Sequence, residues 1–189
     1  MSENQKKIWI TGASSGIGKA VAEKFAKEGW KVAVSARRKE LLQDMAKDQN
    51  ISSFPLDVTD RSQINNVFQN ILKEFGNIDL CLFSSGTYEP KDEQNIDPDK
   101  IKNVMNVNFL GVIDCVKTVE DYFKDRKTGH ISIVSSIAGY RGLPNSSGYG
   151  PSKAALTNFC ESIYFDFKKF GVRVSVISPG FVKTPLTDK

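Results

Sequence analysis

Apolar residues along the chain follow two alternating rhythms. Short runs of strand length occur at Lys7–Thr11, Lys31–Ala36, Asp79–Ser84, His130–Ser135 and Val172–Ser178, with a weaker one at Ile51–Leu56. Between them apolar positions return every three or four residues, over Gly16–Glu28, Lys39–Lys47, Asp60–Glu74, Pro98–Lys124 and Tyr149–Phe170, which predicts amphipathic helices. Triplets such as Ile8-Trp9-Ile10 and Val32-Ala33-Val34 are apolar on both faces, as strands of a covered parallel sheet must be. Strand and helix alternating throughout predict a single α/β domain over 1–189, a doubly wound parallel sheet between two helical layers. Asp60 and Gln63 read as a capping box opening the third helix. The most polar stretch, Glu89–Lys100, reads as a surface loop before the long helix.

Composition narrows the function. The 189 residues carry 26 Lys+Arg and 22 Asp+Glu, a net +4, with the two signs interleaved. A nucleic-acid footprint needs a concentrated basic face, and the sequence has none. No apolar run approaches the roughly 20 residues of a membrane span, and the opening residues lack a signal-peptide core. Cys81, Cys115 and Cys160 are odd in number, far apart and set among apolar residues, so they read as buried free thiols of a reducing, cytoplasmic compartment. His130 is the only histidine, which excludes metal or nucleophile schemes built on several histidines; no metal site is expected. Acid–base chemistry here must use another side chain.

Candidate chemistry begins where the first strand ends. Gly12, Gly16 and Gly18 fall within seven residues, with Ser14, Ser15 and Ile17 between them, after a strand and opening a helix. In that context glycines form a phosphate cradle: one for the tight turn, one for close approach of a pyrophosphate, one for helix–strand packing. A glycine-rich turn without a ligand is the plain alternative. The second strand ends at Arg37-Arg38, where a site for NAD would carry an acidic residue against the ribose 2′-hydroxyl. Two guanidinium groups suit a 2′-phosphate instead, which favours NADP(H) over NAD(H), although a solvated basic turn also accounts for adjacent arginines.

Two helices carry polar residues on apolar faces. Asn108 shares a face with Ile101, Met105, Val112, Cys115, Val119 and Tyr122, so its amide must be hydrogen-bonded to something specific, backbone or substrate machinery alike. Tyr149 and Lys153 stand four apart on the apolar side of the last helix, with Leu156, Cys160, Ile163, Phe167 and Phe170. An ammonium beside a phenol favours the phenolate and lowers the tyrosine pKa from about 10, allowing proton exchange without histidine. Ser135-Ser136 close the strand that begins at His130, at the carboxyl edge where doubly wound sheets place ligands. They also fit a simple turn.

In Thr11–Gly18, Asp57-Val58, Asn106–Asn108, Ser135–Gly139, Tyr149–Ala155 and Ser178–Gly180 with Thr184, the chain resembles the short-chain dehydrogenase/reductase family over essentially its whole length. The resemblance implies strand order 3-2-1-4-5-6 and a catalytic tetrad of Asn108, Ser136, Tyr149 and Lys153. Ser136 is chosen over Ser135 because it stands thirteen residues before Tyr149. By the same resemblance Tyr149 is the general acid or base, and Ser136 bonds the carbonyl oxygen. Lys153 tunes Tyr149 and holds the nicotinamide ribose, and Asn108 positions a water beside Lys153. Asp57 and Val58 would meet the adenine, although Asp57 also fits a plain turn. Ser85 and Gly86 would contact the cofactor, and Pro179, Gly180, Val182 and Thr184 would lie along the nicotinamide.

The family also implies a homodimer or homotetramer through the Asn108 and Tyr149 helices, with Ala154, Ala155 and Phe159 at the contact. Tyr88, Tyr140, Leu143 and Phe181 are candidate substrate-lining residues. Phe83-Ser84-Ser85-Gly86 replaces the usual Asn-Asn-Ala-Gly, so Ser84 loses the bonds an asparagine would make. The substrate loop, helix and last strand that the family carries after Pro179-Gly180 are not in residues 1–189. The activity implied is hydride transfer between NADP(H) and a carbonyl/alcohol pair. A nucleotide-binding sensor or scaffold without turnover, or an epimerase or dehydratase on the same fold, remain as alternatives.

Overall fold

The computed structural model describes residues 5–89 and 96–186. Six parallel strands, β1 (Lys7–Thr11), β2 (Lys31–Ser35), β3 (Ile51–Ser53), β4 (Leu80–Phe83), β5 (His130–Val134) and β6 (Arg173–Ile177), form one sheet in the order β3-β2-β1-β4-β5-β6. The strand order is the expected one. The weak run at Ile51–Leu56 yields only a three-residue strand, although the Phe54 and Leu56 N–H groups still donate to the Val34 and Ala36 carbonyls at 2.9 and 3.0 Å.

Alternation of side chains sorts each strand onto two layers. Trp9, Ala33, Cys81, Phe83, Ile131, Ile133 and Val174 pack against helices α3 (Arg61–Phe75), α5 (Gly111–Arg126) and α6 (Tyr149–Lys168). Ile8, Ile10, Val32, Val34 and Leu82 face α1 (Gly16–Lys27) and α2 (Lys39–Met45). Trp9 anchors the first layer. Its ring stacks on Phe68 and meets Phe83 edge-on, each at 5.6 Å, while its buried indole N–H donates to the Ser35 hydroxyl at 2.9 Å. Cys81, Cys115 and Cys160 are free and buried, and burial pushes all three thiols up, Cys160 to about 12.

Two expectations are corrected. The long helix is not continuous: α4 (Pro98–Met105) passes through a π-helical turn at Asn106–Leu110 before α5 begins. A one-turn widening of this kind leaves the apolar rhythm almost intact, so periodicity does not reveal it. The capping box at the start of α3 is half built. The Asp60 carboxylate accepts from the Gln63 backbone N–H at 3.0 Å, but the Gln63 side chain accepts from the Asp57 N–H instead of returning to Asp60. Of the polar stretch Glu89–Lys100, residues 90–95 lie outside the described residues, and Pro98 already opens α4. Among the described residues no helix is long and apolar enough to cross a membrane.

Candidate active site

At the carboxyl edge of the sheet the strands of the doubly wound fold part, and a cavity of about 430 Å³ opens there. One end is the turn after β1. Gly12 has φ +68°, and a Cβ on it would lie 2.7 Å from the Ser84 and Ser85 main chain. Gly18 is pressed as closely in turn: a Cβ there would meet the Gly12 carbonyl oxygen at 2.6 Å. The turn, the start of α1 and the segment after β4 are therefore packed main chain to main chain. Gly16, also left-handed at φ +57°, faces the Thr184 side chain and lines the cavity.

The arginines separate in their roles. Arg38 directs its Nε and Nη2 to the Ser14 hydroxyl at 3.1 and 2.8 Å, and Nη2 also donates to Ser15 at 2.8 Å. Arg37 is exposed on the cavity wall beside it. Asp57 lines the wall too, and one carboxylate oxygen accepts from the Thr59 N–H and hydroxyl at 3.0 and 2.8 Å, so the turn-forming use is real whatever else it touches. Val58, Ser85, Gly86, Pro179, Gly180 and Val182 also line the cavity.

The far end is built by side chains. Tyr149 opens α6 and Lys153 stands one turn on; both line the cavity, with Ser136 beyond the end of β5. Ser135 and Ser136 have different surroundings. Ser135 is buried, its hydroxyl bonded to the Lys153 carbonyl at 2.8 Å and to Thr157 at 2.9 Å, so it ties β5 to α6. Ser136 is half-exposed and accepts from the Ala138 N–H at 3.1 Å, which caps a short 3₁₀ turn, Ile137–Gly139. That turn lies against α6 because Gly139 has no side chain: a Cβ there would meet the Lys153 carbonyl carbon at 2.9 Å.

Lys153 is 4% exposed and its Nζ donates to the Val134 carbonyl at 2.9 Å; burial lowers its pKa to about 8. The ammonium lies 5.6 Å from the centre of the Tyr149 ring. The expected lowering of the tyrosine does not appear in this geometry. Burial raises Tyr149, the Ser136 hydroxyl pulls it partly back, and Lys153 contributes no resolved effect. The Tyr149 ring also meets Tyr88 edge-on at 5.6 Å.

Asn108 sits in the π-helical turn, fully buried and not in the cavity wall. Its Oδ1 accepts from the Thr87 N–H at 2.7 Å, and its Nδ2 donates to the Thr87 carbonyl at 3.0 Å and to the Ser152 hydroxyl at 3.1 Å. The Asn108 side chain thus ties the π-helical turn to the segment after β4 and to Ser152. It steadies that segment where Ser84 replaces an asparagine.

Tyr88, Tyr140, Leu143 and Phe181 do not line the cavity. Tyr88 donates to the Asn145 carbonyl at 3.2 Å, Tyr140 to Ser178 at 3.3 Å, and Leu143 and Phe181 are exposed. Sequence reasoning missed Leu56, Thr87 and Val134 in the wall, supplied as strand ends and turns rather than motifs, and Val107, which lies within the Asn106–Asn108 segment. It also missed Ser152, whose place directly before Lys153 was the available signal. The terminal residues 187–189 lie outside the described residues.

A family model described as short chain dehydrogenase matches residues 6–189. The chain is 34% identical over 194 residues to the dehydrogenase/reductase SDR family protein 7-like of Anopheles gambiae, covering 97% of this chain and 61% of that protein. It is 32% identical over 185 residues to 3-oxoacyl-acyl-carrier-protein reductase FabG of Thermotoga maritima, covering 95% of this chain and 75% of that one. Among solved structures it is similar to ElxO with NADP bound, with TM-score 0.91, 30% identity, and 97% of this chain and 77% of that chain covered.

Proposed function

The chain belongs to the short-chain dehydrogenase family, and from that premise we propose a NADP(H)-dependent oxidoreductase acting on a carbonyl/alcohol pair. The observation that carries the proposal is one continuous cavity. It runs from the Arg37, Arg38 and Ser14 corner to the Ser136, Tyr149 and Lys153 corner, so a dinucleotide and a small carbonyl compound share it.

The residues present fit the coenzyme. A turn with glycines at its close approaches opens α1, whose first N–H groups favour a pyrophosphate. Arg38, with Arg37 beside it, presents a forked donor at the end of β2, where a 2′-phosphate would lie. The NADP bound in ElxO agrees with that preference. A nicotinamide held in this cavity would supply or accept the hydride. Tyr149 gives the proton to the carbonyl oxygen during reduction and takes it back during oxidation, while the Ser136 hydroxyl orients that oxygen. Burial keeps Tyr149 protonated at neutral pH, the form a proton donor requires. Lys153, its Nζ anchored on the Val134 carbonyl at 2.9 Å beside Tyr149, would hold the nicotinamide ribose. Two copies would pair through the Asn108 and Tyr149 helices, where Phe109 and Phe159 meet edge-on at 6.2 Å, Ala154 and Ala155 are half-buried and Leu110 is exposed.

The test is a screen of ketones and aldehydes for NADPH oxidation, followed by Tyr149→Phe on the best substrate. Loss of the acid should cut turnover by about 10³-fold while NADPH affinity stays within about threefold. Equal turnover in both proteins overturns the assignment of Tyr149. NADPH binding without hydride transfer across the screen would favour a sensor.

A further inference from the structure

Ser152 has no assigned part in the chemistry, yet it lies between two residues that do. It is fully buried, so no solvent satisfies its hydroxyl. Its Oγ accepts from Asn108 Nδ2 at 3.1 Å and donates to the Tyr149 carbonyl at 2.7 Å. The direction is fixed. Amide N–H groups only donate, so the serine must accept from Asn108 and spend its single proton on Tyr149. The other amide atoms of Asn108 hold both backbone groups of Thr87. The result is a polar chain from the main chain of Thr87, through Asn108 and Ser152, to the main chain of Tyr149.

The same two segments meet a second time, ring against ring. Tyr88, next after Thr87, places its ring edge-on to the Tyr149 ring at 5.6 Å. The segment after β4 and the first turn of α6 are therefore clamped twice, by hydrogen bonds through Asn108 and Ser152 and by two aromatic rings. We infer that Ser152 is a positioning residue, which fixes the catalytic Tyr149 relative to the segment after β4 through its bonds to Asn108 and to the Tyr149 carbonyl. Removing the hydroxyl strands one Asn108 N–H in a dry site and frees the Tyr149 carbonyl from its tether. Both Asn108 and the first turn of α6 then relax, and a small displacement of a proton donor is expensive in rate.

The inference rests on the proposed oxidoreductase reading for its kinetic arm only. Ser152→Ala and Ser152→Thr are compared with wild type as holoprotein with NADPH. The expected result for Ser152→Ala is a kcat lower by about tenfold or more, with carbonyl KM and NADPH affinity within about twofold. Ser152→Thr keeps the hydroxyl and should recover most of kcat. Amide exchange at Thr87, whose N–H is held by Asn108, should quicken in Ser152→Ala and not in Ser152→Thr. A folded Ser152→Ala protein with wild-type kcat and unchanged Thr87 exchange overturns the inference. So does equal loss of kcat in both variants, since that marks packing rather than the hydroxyl. If Ser152→Ala does not fold, Ser152→Cys, which keeps the shape but bonds weakly, replaces it under the same outcomes. If wild type itself transfers no hydride to any carbonyl tested, the oxidoreductase reading fails, and Thr87 exchange alone decides the role of Ser152.

Discussion

At the glycine-turn end of the cleft the wall is main chain, with Gly12 against Ser84 and Ser85 and Gly18 against Gly12, while Ser14 and Ser15 are half-buried and Arg37 and Arg38 exposed. At the Tyr149 end the wall rests on buried side chains: Asn108, Ser152 and Lys153 are 0%, 0% and 4% exposed. The two ends therefore resist change in opposite ways. The first has no room for a Cβ but tolerates altered side chains. The second holds Asn108, Ser152 and Lys153 by hydrogen bonds to their neighbours and tolerates little loss of one. Backbone N–H groups suffice to hold an anion, whereas moving a proton needs side chains held at set distances and protonation states.

The largest effect should come from forcing a side chain into the main-chain wall. Gly12→Ala meets an unfavourable φ and fixed backbone at 2.7 Å, and should lose about 3 kcal/mol or more of stability by urea denaturation. Ser14→Ala at the same end should change stability by no more than about 0.5 kcal/mol. If Gly12→Ala is as stable as wild type, the segment after β4 yields and the contrast between the ends fails.

The next effect belongs to the buried lysine. The fold lowers Lys153 from 10.5 to about 8, so its ammonium is disfavoured in the folded chain. Below pH 8 folded and unfolded chains both carry the proton, and the whole burial cost is present. Between pH 8 and 10.5 the folded chain releases its proton first and the cost fades. Lys153→Met should therefore be more stable than wild type at pH 7, by at most about 3 kcal/mol, while losing activity. That advantage should shrink as pH rises through this window, and denaturation at stepped pH reads it. A constant or growing gap would show that the ammonium carries no burial penalty.

The smallest effect lies in the solvent-exposed grip. Arg38→Ala should weaken NADPH by about tenfold, leave NADH nearly unchanged and barely alter stability. Titration with both coenzymes measures the ratio. An equal loss for both would move phosphate recognition elsewhere, with Arg37 the next residue to change.

Local patterns reached far in this chain because the fold repeats one unit, strand then helix, and both periods are written in neighbouring residues. β1, read as Lys7–Thr11, and α6, read from Tyr149, begin where the patterning puts them. The glycine turn was equally legible, since its chemistry lies within seven consecutive residues. What periodicity could not supply was contact across the fold. That Asn108 spends its amide on Thr87, 21 residues away, is decided by how the π-helical turn and the segment after β4 come together. That Arg38 bonds Ser14 depends on which guanidinium the end of β2 aims at the glycine turn, which adjacent arginines do not report. The protonation of Tyr149 turned on burial, which a four-residue spacing with lysine does not report.

The buried indole of β1 gives the chain an optical gauge of its own. Trp9 is wholly screened from water and lies three residues before Gly12, whereas Trp30, against Phe25 and Lys6, is only partly covered. Shielded indoles emit at shorter wavelengths, and that emission overlaps the absorption of a reduced nicotinamide, so energy passes from donor to acceptor over nanometre distances. Arrival of the dihydropyridine ring should darken the blue-shifted component of the fluorescence more than the rest, allowing occupancy of the cleft to be followed in the native chain without a dye.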